Sequence, residues 1–346
     1  MKILSNSPIK LPKTKDNNLN RLIIISIVIF VLMAILNPGK FITMRNFRSM
    51  SYSFPELGLL SLGLTICMIT GGIDLSIVGT ANLTSILAAK LMVEAMPENP
   101  TSAIIALYIF LAVGVAFIFG IIAGLINGYL VSTFHIHPVL VTLGTWQVFS
   151  GIAIIITRGY AIPNLPKPFL FVGNGRFLGL AMPLYIFLAL AIVVAVLLRK
   201  TQFGRSIYFI GTNATAARFA GIRVRKMLMR AYVSSALLAS TAGLLMISRT
   251  NQAKADYGRS YILQAVLVNL LAGVNWHGGF GRVIGVAIAV VTLQFLSSGF
   301  NMLRFNNFAR DFTWGVFLIS IMIFNHLMNE RKNRLEADIA GAKSVE

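Results

Sequence analysis

Charge is scarce in this chain of 346 residues: 12% are Asp, Glu, Lys or Arg, about half the share of a soluble domain. Acids are scarcer still, 11 against 30 Lys and Arg, which leaves a net charge of +19. The single cysteine, Cys67, cannot form an internal disulfide, so a disulfide-stapled scaffold is excluded. No G-x-x-x-x-G-K-[ST] stretch, no H-E-x-x-H, no nucleophile elbow and no plausible acid/base pair occurs, which excludes ATP binding through a P-loop of its own and the common hydrolase chemistries. What is abundant is hydrocarbon: 56% of residues are apolar and the mean hydropathy is +0.78. A soluble fold of this size cannot hide so much apolar surface, because a folded surface needs charge. A cytosolic enzyme and a disordered chain are therefore excluded. In a soluble protein a charge of +19 would suggest nucleic acid. On this apolar background, cation placement reports membrane topology instead, and no nucleic-acid partner is expected.

A bilayer core about 30 Å thick needs roughly 20 apolar residues per helix. Uncharged runs predict ten spans, at about 22–37, 54–71, 77–93, 102–133, 138–157, 183–198, 231–248, 260–275, 283–300 and 311–327. The expected fold is an all-α polytopic membrane protein. The first run follows Lys2, Lys10, Lys13, Lys15 and Arg21, as a signal peptide would, but no small-x-small cleavage site follows it, so an uncleaved anchor is expected. Residues 199–230 carry eight cations and no acid, a positive-inside signal that places this loop and, with ten spans, both termini in the cytoplasm. Lys40, Arg45 and Arg48 run against that bias. The organisation expected is a cytoplasmic segment 1–21, a transmembrane domain 22–328 and a cytoplasmic tail 329–346, with 158–182 as the one long outside loop.

Polar groups inside a bilayer are costly and therefore informative; a carboxylate at mid-membrane costs about 2.5–3.5 kcal/mol on insertion scales. Three acids fall in or beside a span: Glu56, Asp74 and Asp311. Asp74 lies in Gly71-Gly72-Ile73-Asp74-Leu75-Ser76, where two glycines break a helix and Asp or Ser can cap the next. That reads either as a cap between spans or as a broken helix facing a solute path. Gly120, Gly124 and Gly128 recur every four residues, which favours close helix packing, with Asn127 as interhelical glue. Thr142, Thr145 and Gln147, and Gln264 and Asn269 further on, stand open between path lining and interhelical bonding. His135 and His137 have no Cys or acid nearby, so a metal site is not expected. Within the cationic loop, Thr212 or Asn213 can cap a short helix that Gly221 ends. That helix is rich in small residues, either an interfacial helix held by anionic lipid or a rigid peg seated in a partner's groove.

Four blocks resemble one known family: GGIDLS at 71–76, NGYLVSTFHIHPVLVTLGT at 127–145, FGRSIYFIGTNATAARFAGI at 203–222 and LAGVNWHGGFGR at 271–282. Their order and spacing are similar to those of permease subunits of bacterial ABC importers for ribose, related monosaccharides and autoinducers. The resemblance implies a ten-helix, type II ABC importer-like permease in the bacterial inner (plasma) membrane. It implies a second permease subunit, like or unlike, a cytoplasmic ATPase that uses the ATP, and a periplasmic or extracellular sugar-binding protein; no cofactor is implied for this chain. The 211–222 helix would be the coupling helix, with Gly211, Asn213, Ala216, Ala217, Arg218 and Gly221 as its residues. Asp74, Ser76, Asn127, Thr145 and Gln264 would lie near the translocation path. The sequence departs from the family pattern at Ile77-Val78-Gly79, one residue longer than usual, at Ser150 where Arg is expected, and at Ile262 and Gln264 where acids are frequent. These departures bear on which sugar is moved. An ion-coupled secondary transporter or channel for a small polar solute is the alternative, though it usually needs more buried charge than Asp74 offers.

Overall fold

The computed structural model describes residues 17–306, 308–323 and 327. Helices α1 (Asn17–Leu36), α2 (Met44–Ile69), α3 (Ile77–Val93), α4 (Ser102–Phe134) and α5 (Pro138–Thr157) come first. Strand β1 (Ile162–Pro163), helix α6 (Lys167–Asn174), strands β2 (Arg176–Phe177) and β3 (Leu180–Ala181), and helix α7 (Met182–Lys200) follow. Then come α8 (Gln202–Thr212), α9 (Ala214–Phe219), α10 (Val224–Thr250), β4 (Gln252–Ala253), α11 (Tyr261–Leu271) and α12 (Val283–Met302); residues 308–323 form a last helix, α13. Every one of the ten apolar runs holds a helix. Residues 1–16 of the expected segment 1–21, and the expected tail 329–346, lie outside the described residues.

Seven of these helices are long and apolar enough to cross a bilayer: α1, α2, α4, α5, α7, α10 and α12. The short ones have physical causes. α3 starts only after the break at 70–76, where Gly71 takes a positive φ of 83°, a conformation glycine reaches without a Cβ clash. α11 has 11 residues and so rises only about 16 Å. The eighth span, expected over 260–275, thus holds a helix too short to cross a bilayer alone, followed by the irregular stretch 272–282.

The least apolar of the seven lie innermost. α2 and α10 are mostly buried, whereas α1, α4, α5 and α7 turn most of their side chains outward. A lipid-facing side chain must be apolar, while a protein-facing one can be small or hydroxylated if it finds a partner. α4 packs antiparallel on α10 through its glycines. A Cβ on Gly124 would lie 2.6 Å from Val233 Cα and one on Gly128 2.7 Å from Met229 Cα, and one on Gly120 would run into Ser240. The close-packing reading of the four-residue repeat holds, and the backbones meet because no side chain stands between them.

The two ends of the bundle differ. At the cationic end, α8, α9 and the loops 70–76 and 272–282 converge. At the other end the 158–182 stretch is not a bare loop. It contains α6, the β2–β3 hairpin and β1, which pairs antiparallel with β4 across the chain. Here Glu56, 1% exposed at its side chain, accepts from Arg249 Nε at 2.6 Å and Nη2 at 3.1 Å, and Nη2 also donates to the Tyr257 hydroxyl at 2.7 Å.

Candidate functional site

Four of the five residues expected near the path come together at the break. Asp74 Oδ1 accepts from the Ser76 hydroxyl at 2.6 Å and the Ser76 N–H at 3.1 Å. Asn127 Nδ2 donates to Ser76 Oγ at 2.7 Å, and Thr145 Oγ1 donates to Asn127 Oδ1 at 2.7 Å. The other carboxylate oxygen accepts from Ser235 of α10 at 2.8 Å. Thr142 closes the set by donating to the Ile73 carbonyl at 3.0 Å. Ser76 and Ser235 donate to Asp74 directly, and Thr145 and Asn127 reach it through a relay ending on the Ser76 hydroxyl, so side chains of α4, α5 and α10 are linked to the break before α3.

That geometry changes the meaning of these residues. All are buried, Asp74 and Asn127 at 1% exposed and Ser76 at 0%. They bond one another and do not line an open path. Ser76 occupies the N-cap position of α3, but its hydroxyl goes to Asp74 and not to the helix. Gln264, the fifth, is buried on α11 and takes no part in these hydrogen bonds. Its neighbour Asn269 is interhelical glue, donating to Ser61 O at 3.0 Å and accepting from Thr65 Oγ1 at 2.6 Å. Among the described residues no His, Cys, Asp and Glu cluster could hold a metal ion. Two partners escaped the sequence reading, Ser235 and Arg249. Both sit on α10: its small and hydroxylated residues were the available signal for Ser235, and a lone cation beside a long apolar run was that for Arg249.

The network carries a prediction. Asp74→Asn replaces one acceptor oxygen by a donor amide, leaving Ser76 or Ser235 facing it without an acceptor. The cost expected is about 1–3 kcal/mol, read as a lower thermal midpoint of the detergent-solubilised chain. Ser235→Ala alone should cost a similar amount. The double variant should cost clearly less than the two together, because they share a partner; full additivity would rule out the link.

At the cationic end the short helix forms as its capping residues predict. Asn213 Oδ1 accepts from the Ala216 N–H at 2.9 Å, and Gly221, at φ 79°, closes the helix with its N–H on Arg218 O at 3.0 Å. The six-residue α9 has two different faces. Ala217 is fully buried against Ile210 and Val224, so it anchors the helix and presents nothing outward. Asn213, Arg218 and Gly221 are exposed and Ala216 partly so, and Phe219 is 90% exposed. Arg218 Nη2 lies 3.4 Å from His135 Nε2 at the end of α4. Gly211 is an inner residue too: a Cβ there would meet the Ile69 carbonyl and the Gly279 N–H, which are themselves hydrogen-bonded at 2.9 Å. The Tyr208 hydroxyl reaches the Gly281 carbonyl at 2.5 Å; burial pushes this phenol above its usual pKa, and Arg199 partly offsets that.

The model of the family described as branched-chain amino acid transport system / permease component matches residues 46–325. The chain belongs to this permease family. It is 33% identical over 299 residues to the ribose import permease protein RbsC of Bacillus subtilis (strain 168), covering 86% of this chain and 89% of that one. It is 31% identical over 309 residues to a probable ABC transporter permease protein of Sinorhizobium fredii, covering 89% of each. It is 29% identical over 286 residues to the autoinducer 2 import system permease protein LsrD of Yersinia enterocolitica, covering 79% of this chain and 83% of that one. No solved structure matches the chain. The protein is thus a multi-pass membrane permease subunit of the ABC-importer kind, and the ion-coupled alternative is set aside.

Proposed function

We propose that this permease passes a monosaccharide or similarly small sugar across the bacterial inner membrane, with ATP consumed by a separate cytoplasmic ATPase. The relatives named for ribose and autoinducer 2 support a small polyhydroxylated solute. A sugar-binding protein on the outer side would deliver it, and the path would run between this subunit and a second, like or unlike, permease subunit. Both termini and the 199–230 loop would face the cytoplasm, where eight cations and no acid obey the positive-inside rule. The Asp74 network would then hold the broken helix rigid beside the path, and solute selection would rest with the binding protein.

The observation that carries this reading is α9. It is capped at both ends, anchored by Ala217, and offers Phe219 almost wholly to solvent. A six-residue helix is too short to be stable alone. An exposed aromatic on a rigid mount is the kind of anchor that fills a partner's pocket. Closure of the ATPases would push on it, and α10, which follows directly, would carry the displacement to Ser235 and the break.

Proteoliposomes holding this chain, its ATPase and a ribose-class binding protein should take up sugar only with ATP. Uptake driven by an ion gradient without any ATPase would overturn the proposal. In the same assay Phe219→Asp should weaken ATPase association by roughly thirtyfold, as for an interface anchor, with insertion unchanged. ATPase retained at the wild-type level would remove α9 from the coupling role.

A further inference from the structure

The cationic end holds a second feature, which shares only Arg218 with the coupling helix. A groove of about 670 Å³ opens between the last turn of α4 and the first turns of α10, beside α9. Its rim carries Arg218, Arg223, Arg225 and Lys226, and its floor is Val131, Val224, Leu228 and Met229. Among the described residues none of the four cations is paired with a carboxylate. Arg225 lies over the Tyr129 ring at 5.3 Å, which fixes the guanidinium and leaves its N–H fork for another acceptor.

A second observation points to a ligand independently of charge. Ser132 lines the groove and is only 9% exposed, yet its hydroxyl has no hydrogen-bond partner. A buried hydroxyl left unpaired costs about 1–3 kcal/mol, a cost that an anionic oxygen in the groove would remove.

We propose that this groove binds a phosphate-bearing anionic lipid. The phosphate sits among the rim cations and accepts from Ser132. The start of an acyl chain lies on the apolar floor and continues past Phe134, an exposed aromatic at the end of α4. The floor decides between sources of phosphate: a free anion would leave the half-buried Leu228 and Met229 uncovered, whereas a lipid covers them and keeps its charge at the bilayer boundary, where juxtamembrane cations attract it. A filled groove also holds α9 in place through Arg218. The inference rests on the membrane location and the groove alone and does not depend on which solute is carried.

The test titrates the detergent-purified chain with phosphatidylglycerol and phosphatidylcholine, counting bound lipid by native mass spectrometry. Wild type should prefer phosphatidylglycerol at least tenfold. Neutralising Arg223, Arg225 and Lys226 together with Gln should cost roughly fivefold per cation, about a hundredfold in all, while Lys200→Gln with Arg205→Gln, outside the groove, should cost little. Ser132→Val guards against a folding artefact, since it should stabilise the lipid-free chain while weakening phosphatidylglycerol binding. Unchanged preference in the triple variant overturns the site. So does displacement of lipid by millimolar inorganic phosphate, which would mean a free-anion site. Loss of ATPase binding with lipid binding intact would mean a protein-docking surface instead, and overturns it equally.

Discussion

Glu56→Ala is expected to destabilise the folded chain by about 3–5 kcal/mol, the cost of leaving one member of a buried ion pair alone. Glu56 accepts two hydrogen bonds from Arg249, a residue 193 positions away in the sequence, and its own side chain is 1% exposed. Removing the carboxylate strands a guanidinium between α2 and α10, the two innermost long helices, with only the Tyr257 hydroxyl to receive it. The measurement is the thermal midpoint of the purified chain and its yield in membranes. The pair itself need not be stabilising, because desolvating two charges offsets most of their attraction. Replacing both, as Glu56→Leu with Arg249→Met, should therefore recover most of the loss. If the double variant is as unstable as Glu56→Ala, the damage comes from lost packing and the ion-pair account fails.

The second large effect is expected from a single methyl group. Gly211→Ala favours α8 by intrinsic propensity, by about 1 kcal/mol. Yet its Cβ would sit on the hydrogen bond between Ile69 O and Gly279 N. Three backbone segments meet there: the end of α2, the end of α8 and the 277–279 loop, where a Cβ on Gly278 would also lie 2.7 Å from Gly71 N. No flexible side chain can move aside, so backbone must separate, at about 3 kcal/mol or more, the upper end for overpacking. If α9 couples to the ATPase as proposed, sugar uptake should fall by at least tenfold, because this junction joins the α8–α9 segment to the start of the broken helix. Gly221→Ala is the control. Gly221 has open space around it but a φ of 79°, so it should pay only the modest strain of a left-handed residue. If Gly211→Ala transports as well as wild type, the three segments are not held in register by this contact.

How much of this was legible beforehand depends on the range of the interaction. The ten helical runs, the close approach of Gly120, Gly124 and Gly128, and the Asn213 and Gly221 caps follow from hydropathy, glycine spacing and local hydrogen bonding, all of which act within a few residues. The break at Gly71–Ser76 was legible for the same reason. Its partners were not: Ser235 is 161 positions from Asp74, and nothing in a serine's neighbourhood says which buried carboxylate it will meet. Asp74, Ser76, Asn127 and Thr145 were singled out as polar residues in or beside expected spans, but polarity alone does not tell a lined path from a closed network. Ala217 and Gly211 looked like parts of an exposed peg because small residues carry no signature of which face they occupy.

The sequence by itself determined that this protein lives in a bilayer as a bundle of helices with one strongly cationic end, because the penalty for charge in hydrocarbon acts on each residue wherever its neighbours are. Only the tertiary structure decided which polar side chains satisfy one another, which face of α9 is free, and where cations gather over an apolar floor. Those outcomes depend on hydrogen-bond directions and contacts a few ångströms long between segments far apart in the chain, and such distances exist only once the helices are packed.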